Sequence, residues 1–227
     1  MSEARVLECV RCGAAVAFRA PACLYCRAAQ TWSDAPPILH RTARIFGHRY
    51  PPDPPLGATV LKDVVATPEG ARVSVGSKRS KLAVSTAVQR RNGCVAVTGV
   101  ALDADMGFGA LVRAYAEGSI FGAYSAVVVP AYRAVALSRL LEGGEVSELI
   151  ELSGWESTTA VRPLGEPNTV EIRYADSVLQ VLVNDVRIIT FVDAGIGYGK
   201  IGWRAVSLGD PGSVLLRGIE VFDVGAR

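Results

Sequence analysis

Apolar and polar residues alternate most regularly between Asn168 and Asp193, and this stretch predicts three antiparallel strands. Over residues 169–174, Val170, Ile172 and Tyr174 alternate with Thr169, Glu171 and Arg173, the period of two expected of a sheet with one buried face. Residues 178–183 are almost all apolar and rich in β-branched side chains, which suits a strand covered on both faces. Asn184-Asp185 follows, two residues that tolerate the positive φ of a tight primed hairpin turn, and residues 186–192 return. Ala175-Asp176-Ser177 makes the preceding turn. Val170, Ile172, Leu182 and Ile188 are the core candidates of this meander.

The same reading extended over residues 59–227 predicts further short strands at 59–65, 71–75, 81–88, 94–101, 107–115, 121–129, 134–141, 147–152, 200–207 and 214–222. Turn residues punctuate them, among them Asn92-Gly93, Gly143-Gly144 and the run from Gly209 to Gly212. Short strands at this spacing without a long amphipathic helix indicate an all-β sandwich or barrel. The stretches GFGALVRAYAEGSIFGAYSAVVV, ALSRLLEGGEVSELIELSGW, PNTVEIRYADSVLQVLVNDVRIITFVD and GKIGWRAVSL occur in an order that resembles the concanavalin-like jelly rolls, the laminin-G-like and 3-keto-glycoside-hydrolase-like group. The resemblance covers about residues 70–224 and implies a two-sheet antiparallel jelly-roll sandwich. Its motifs are packing and turn residues, so no catalytic residue comes with it.

The N-terminal pattern differs. Cys9-Val-Arg-Cys12 and Cys23-Leu-Tyr-Cys26 are two CxxC pairs ten residues apart, a spacing that brings four thiolates to one tetrahedral ion. So small a segment has too little core to fold without a staple. Iron in a rubredoxin-like site and free or disulfide-bonded cysteines are the alternatives. CVRCGAAVAFRAPACLYC resembles the short bacterial zinc ribbons, with Gly13 in place after the first pair and Arg27 where a second glycine is common. That resemblance implies one structural Zn2+ on Cys9, Cys12, Cys23 and Cys26. The expected organisation is a zinc ribbon over 1–30, a connector over 31–58 holding six of the twelve prolines, and the sandwich over 59–227. Ile38, Leu39, Ile45, Phe46 and Tyr50 could bind the connector to the sandwich as a strap. His40 and His48, the only histidines, read as solvated or locally bonded rather than as ligands. Cys94 reads as a small buried hydrophobe.

Charge narrows the functional classes. Residues 59–227 carry seventeen basic against eighteen acidic residues, which gives no case for a nucleic-acid surface there. Residues 1–58 carry seven arginines against four acids, with Arg5, Arg11, Arg19 and Arg27 in the ribbon, so a nucleic-acid adaptor is a lesser alternative. No signal-peptide pattern opens the chain, and the most apolar run, 121–137, is broken by Pro130 and Arg133. With cysteines in metal-type pairs, a cytoplasmic protein without a membrane span is expected.

No acid pair, nucleophile motif or phosphate loop stands out, and hydrolysis of a glycoside needs two opposed carboxyls. Glu148 and Glu151 have the wrong spacing to share a strand face. Asp103 and Asp105 are calcium candidates or turn formers. Tyr115, Tyr124, Tyr132, Trp155 and Trp203 are core rings or sugar-stacking platforms. Arg113, Arg133, Arg139, Glu171 and Arg173 fall on the polar phase of their strands and form the candidate ligand face, although Glu171 could instead be ion-paired. The expected function is a non-enzymatic binding or assembly module for a protein or glycan partner, with a glycoside-processing enzyme as the alternative.

Overall fold

The computed structural model describes Cys12, Tyr25, Cys26, Pro36 and residues 38–49, 64–117, 120–143, 146–193 and 195–226. Fourteen strands among these residues make two antiparallel sheets. The first is ordered β12 (Val186–Val192), β11 (Val178–Val183), β10 (Asn168–Ala175), β5 (Gly93–Ala101), β14 (Gly212–Ala226), β3 (Gly70–Val75) and β2 (Val64–Thr67). β1 (Leu39–Arg49) joins the same sheet by pairing with the far half of β14, beyond the part that β3 occupies. The second sheet runs β4 (Ser80–Arg90), β13 (Gly199–Ser207), β6 (Met106–Glu117), β7 (Ile120–Val129), β8 (Ala134–Gly143) and β9 (Val146–Ser157).

Period-two alternation builds the interface between the layers. Val170, Ile172 and Tyr174 of β10, with Val95 and Val97 of β5, face Phe108, Ala110 and Val112 of β6 and Tyr124, Ala126 and Val128 of β7, all at most 1% exposed. Stripping water from these side chains is the main drive for closing the sandwich, about 1.5–3 kcal/mol for each large one. The predicted meander is present in full. Every residue of β11 is buried, and Asn184 and Asp185 take φ of +49° and +67°, the primed-turn geometry. Leu182 is buried on the opposite face from the core, paired across from Glu171, and Ile188 is only partly buried.

Asn184 and Asn168 also hold the long loop before β10. Asn184 donates to the Ala160 carbonyl at 2.8 Å, and Asn168 bonds both the amide and the carbonyl of Arg162.

The stretch read as connector contributes a strand of the sandwich. Prolines stop at Pro37 and resume at Pro51, which leaves Leu39–Arg49 free to donate a ladder. The start of β1 crosses the outer face of the first sheet. Leu39 donates its amide to Gln180 at 3.0 Å, accepts from Arg173 at 2.8 Å and packs on Val178 and Val192. Of the cysteine module, only Cys12, Tyr25 and Cys26 are described, each in a turn; Cys9, Cys23 and the ribbon assignment lie outside the described residues. No helix among the described residues is long and apolar enough to cross a membrane.

Buried phenols predict how the fold ends at high pH. Burial pushes Tyr124 up to about 12, and burial raises Tyr174 as well. A phenol ionises near 10 when unfolded, so this contribution is intact below pH 10 and disappears as pH rises through about 12. For Tyr124 it amounts to on the order of 3 kcal/mol. Phenolate absorbance should therefore rise together with loss of near-ultraviolet dichroism in that window; two phenols ionising in a still-folded protein would contradict the placement.

Candidate functional site

The five candidate ligand residues do not share a face. Arg113 is fully buried because a bulge between Val112 and Tyr115, with Arg113 at φ +54°, reverses the strand phase and turns its side chain inward. Its guanidinium joins three loops at one pole of the sandwich, donating to the carbonyls of Arg91 (2.9 Å), Asp176 and Ile196 (2.9 Å). It also lies 5.3 Å from the centre of the Tyr174 ring. Burial pulls its pKa down, yet a guanidinium stays charged. Arg139 points into the same pole and pairs with Asp193 at 2.8 Å. Asp193 holds the following loop through Gly195, while Tyr124 donates to the Asp193 carbonyl and accepts from Ile196. Arg133 is exposed at the other pole, in the left-handed turn before β8.

Glu171 and Arg173 do lie together on the outer face of β10, but β1 covers them. Glu171 is 1% exposed and accepts from both Arg41 and Arg173; Arg41 also reaches Asp185 at 2.8 Å. Cys94 lies beneath this cluster, and burial, then the Glu171 charge, pushes its thiol up and leaves it inert. These residues lock the strap against the outer face of β10.

Asp103 and Asp105 are engaged as turn formers. Asp103 accepts from the Ser213 amide at 2.8 Å, and Asp105 accepts from the Tyr132 hydroxyl and the Asp210 amide. Trp203 and Tyr124 are core rings, whereas Tyr132 and Trp155 are about half exposed.

An open groove of about 230 Å³ crosses the outer face of the second sheet. Small side chains make its floor: Val127 on β7, and Ala136 and Ser138 on β8. Between them and β13 runs β6, where Gly107 and Gly109 alternate on this face. A Cβ on Gly109 would come within 1.7 Å of the Ala126 carbonyl oxygen, so only glycine permits this approach of neighbouring strands. Arg204 and Leu208, with Lys78 and Arg79 from the β3–β4 turn, form one wall; Leu149, Glu151 and Trp155 of β9 form the other.

A bulge sharpens the second wall. Glu151 pairs with Ser138 and Trp155 with Ala136, so three residues of β9 oppose the single residue Leu137 of β8. Gly154 supplies φ +68°, and Ser153 accepts from the Leu137 amide at 3.0 Å. Without the two extra residues, Ser153 would face Ala136. The bulge instead sets Trp155, 43% exposed, opposite Ala136, so that it follows Glu151 along the same wall of the groove.

Sequence reasoning noted Trp155 and set Glu151 aside; it missed Lys78, Arg79, Ser138 and Arg204. The alternate glycines of Gly-Phe-Gly at 107–109 were the available signal, since glycine inside a strand marks close approach of a backbone or ligand.

Neither a protein-family model nor a curated protein matches the sequence. Solved structures do. The chain is similar to the carbohydrate-binding module CBM66 from Bacillus subtilis, with 11% identity, TM-score 0.55, and 74% of this chain and 93% of that one covered. It is similar to a Bacillus subtilis protein of unknown function with a galectin-like fold, with 12% identity, TM-score 0.60, and 84% and 100% covered. The Bacillus licheniformis β-glucanase gives 10% identity, TM-score 0.54, and 81% and 100%. The fold is a galectin- and concanavalin-like jelly roll. At such identities the likeness describes the path of the chain and transfers no residue roles.

Proposed function

We propose that this protein is a non-catalytic binding module whose groove on the second sheet takes a glycan. The observation that carries the reading is Trp155, half exposed over a floor of small residues and set on the same wall as Glu151 by the β9 bulge. An indole face stacks on the C–H face of a sugar ring, while Glu151 and Ser138 bond its hydroxyls. Similarity to a carbohydrate-binding module supports the reading at the level of fold. Hydrolysis would need a second carboxyl across the bond, and among the described residues lining the groove Glu151 is the one acid.

A glycan array followed by calorimetry tests this. Trp155→Ala is expected to weaken binding about tenfold or more, a loss near 1.4 kcal/mol, without changing the melting temperature. Full binding by that variant would remove the groove from consideration, and turnover abolished by Glu151→Gln would replace the binding module with an enzyme.

The same proposal includes one structural zinc on Cys9, Cys12, Cys23 and Cys26. Four soft thiolates suit that ion, and the two described members, Cys12 and Cys26, each close a CxxC pair in a turn. When bound, zinc would supply the stability that a segment of this size lacks. Elemental analysis should find about one zinc per chain, lost when the four cysteines become serine.

A further inference from the structure

We infer that the ligand of the groove is an acidic oligosaccharide, its negative group held by Lys78 and Arg79. This rests on reading the groove as a glycan site and deepens it. Lys78 and Arg79 occupy the turn between β3 and β4, and that turn is fixed from several sides. The Lys78 amide and the Ser77 hydroxyl both donate to the Gly209 carbonyl, at 3.2 and 2.6 Å. Arg79 donates back to Gly76 at 3.3 Å and accepts from the Ser207 amide at 2.9 Å. These bonds hold Lys78 at φ +51°, a conformation that a side chain seldom adopts unaided. Both side chains line the groove, and neither has an acidic partner among the described residues.

The groove is polarised as a result. Its basic wall also includes Arg204 on β13, whereas its acid, Glu151, lies on β9 at the opposite edge of the sheet. Four interstrand steps of about 4.8 Å separate β13 from β9, about 19 Å in all. One sugar ring cannot reach both walls. An oligosaccharide can, with a neutral ring on Trp155 at the Glu151 wall and a carboxylate or sulfate at the basic turn. Two cations on a fixed backbone favour such an anion, because only their side chains are left to be ordered on binding.

The test uses the full chain and matched pairs of ligands. Uronic-acid oligosaccharides are titrated beside their methyl esters, and sulfated oligosaccharides beside their desulfated forms, which distinguishes the two sources of charge. In at least one pair the acidic member should bind about tenfold more tightly, with a preference that shrinks as salt rises. The double variant Lys78→Ala, Arg79→Ala, with both changes in an exposed turn, should abolish the difference between the acidic member and its neutral partner and leave the melting temperature unchanged. Equal binding of both members, or a preference that survives the double variant, overturns this inference and leaves the glycan site standing. Binding of no glycan overturns both. Capture of an acidic peptide or of DNA through Lys78 and Arg79, with no glycan bound, overturns both as well.

Discussion

Glu171→Ala is expected to remove about 3–5 kcal/mol of stability, the loss typical when one partner of a buried ion pair is deleted. Glu171 is 1% exposed and is the acceptor for Arg41 and Arg173. Deleting its carboxylate leaves two guanidiniums facing each other where little water reaches. Arg41 retains Asp185, which is mostly exposed, and Arg173 retains one bond to the Leu39 carbonyl. Neither residual contact offsets a buried charge. Glu171→Gln keeps the shape and one acceptor, so its loss should be intermediate. Urea midpoints at constant m measure both. The variant should also reveal where the damage falls: amide exchange should accelerate first over the start of β1, which crosses the outer sheet face through these residues. An Ala variant as stable as the parent would mean that both arginines turn outward and that the strap needs no carboxylate beneath it.

Arg113→Met is expected to cost roughly as much, about 3–5 kcal/mol, for a different reason. Methionine keeps the apolar stem and relieves the buried charge, but it orphans the carbonyls of Arg91, Asp176 and Ile196, which come from three separate loops. The buried Ile196 carbonyl costs about 1–3 kcal/mol when unsatisfied, the partly buried carbonyls of Arg91 and Asp176 add less each, and the sum exceeds the gain from relieving a charge that those dipoles already solvate. The backbone at φ +54° stays strained after the substitution. Arg113→Lys keeps the charge without the planar fork and should recover only part of the loss. A melting temperature within a degree or two of the parent for Arg113→Met would show that the three loops hold one another without the guanidinium.

These residues show where strand periodicity stops being informative. Alternation over residues 169–174 was enough to place Val170 and Ile172 in the core and Glu171 and Arg173 on the other face, because β10 is regular from end to end. Arg113 follows the same rule on paper. One bulge reverses the phase, and nothing in the residues around it announces that reversal. The groove escaped for a related reason: Glu151 and Trp155 come to share a wall only through the two extra residues of β9, Ser153 and Gly154. Pairing across long separations was equally illegible. Glu171 was readable as polar and open to ion pairing, but its burial depends on Arg41, 130 residues earlier, in a segment whose flanking prolines read as a connector. Turns were the most legible features, since Asn184-Asp185 must supply positive φ locally whatever the rest of the chain does.

β1 also sets the order in which the sandwich can be finished. Its antiparallel partner is β14, with Leu39 opposite Ala226 and Arg49 opposite Gly218, so the first of the described strands is held by the last. On the ribosome, β5, β10 and β11 can assemble while β1 still lacks its edge, and Glu171 can meet Arg173 before Arg41 is fixed against it. Closing this pair joins strands about 180 residues apart in sequence, a long-range contact of the kind that slows folding. A nascent chain stalled before residue 212 would present the flank of β5 that β14 covers as an open edge.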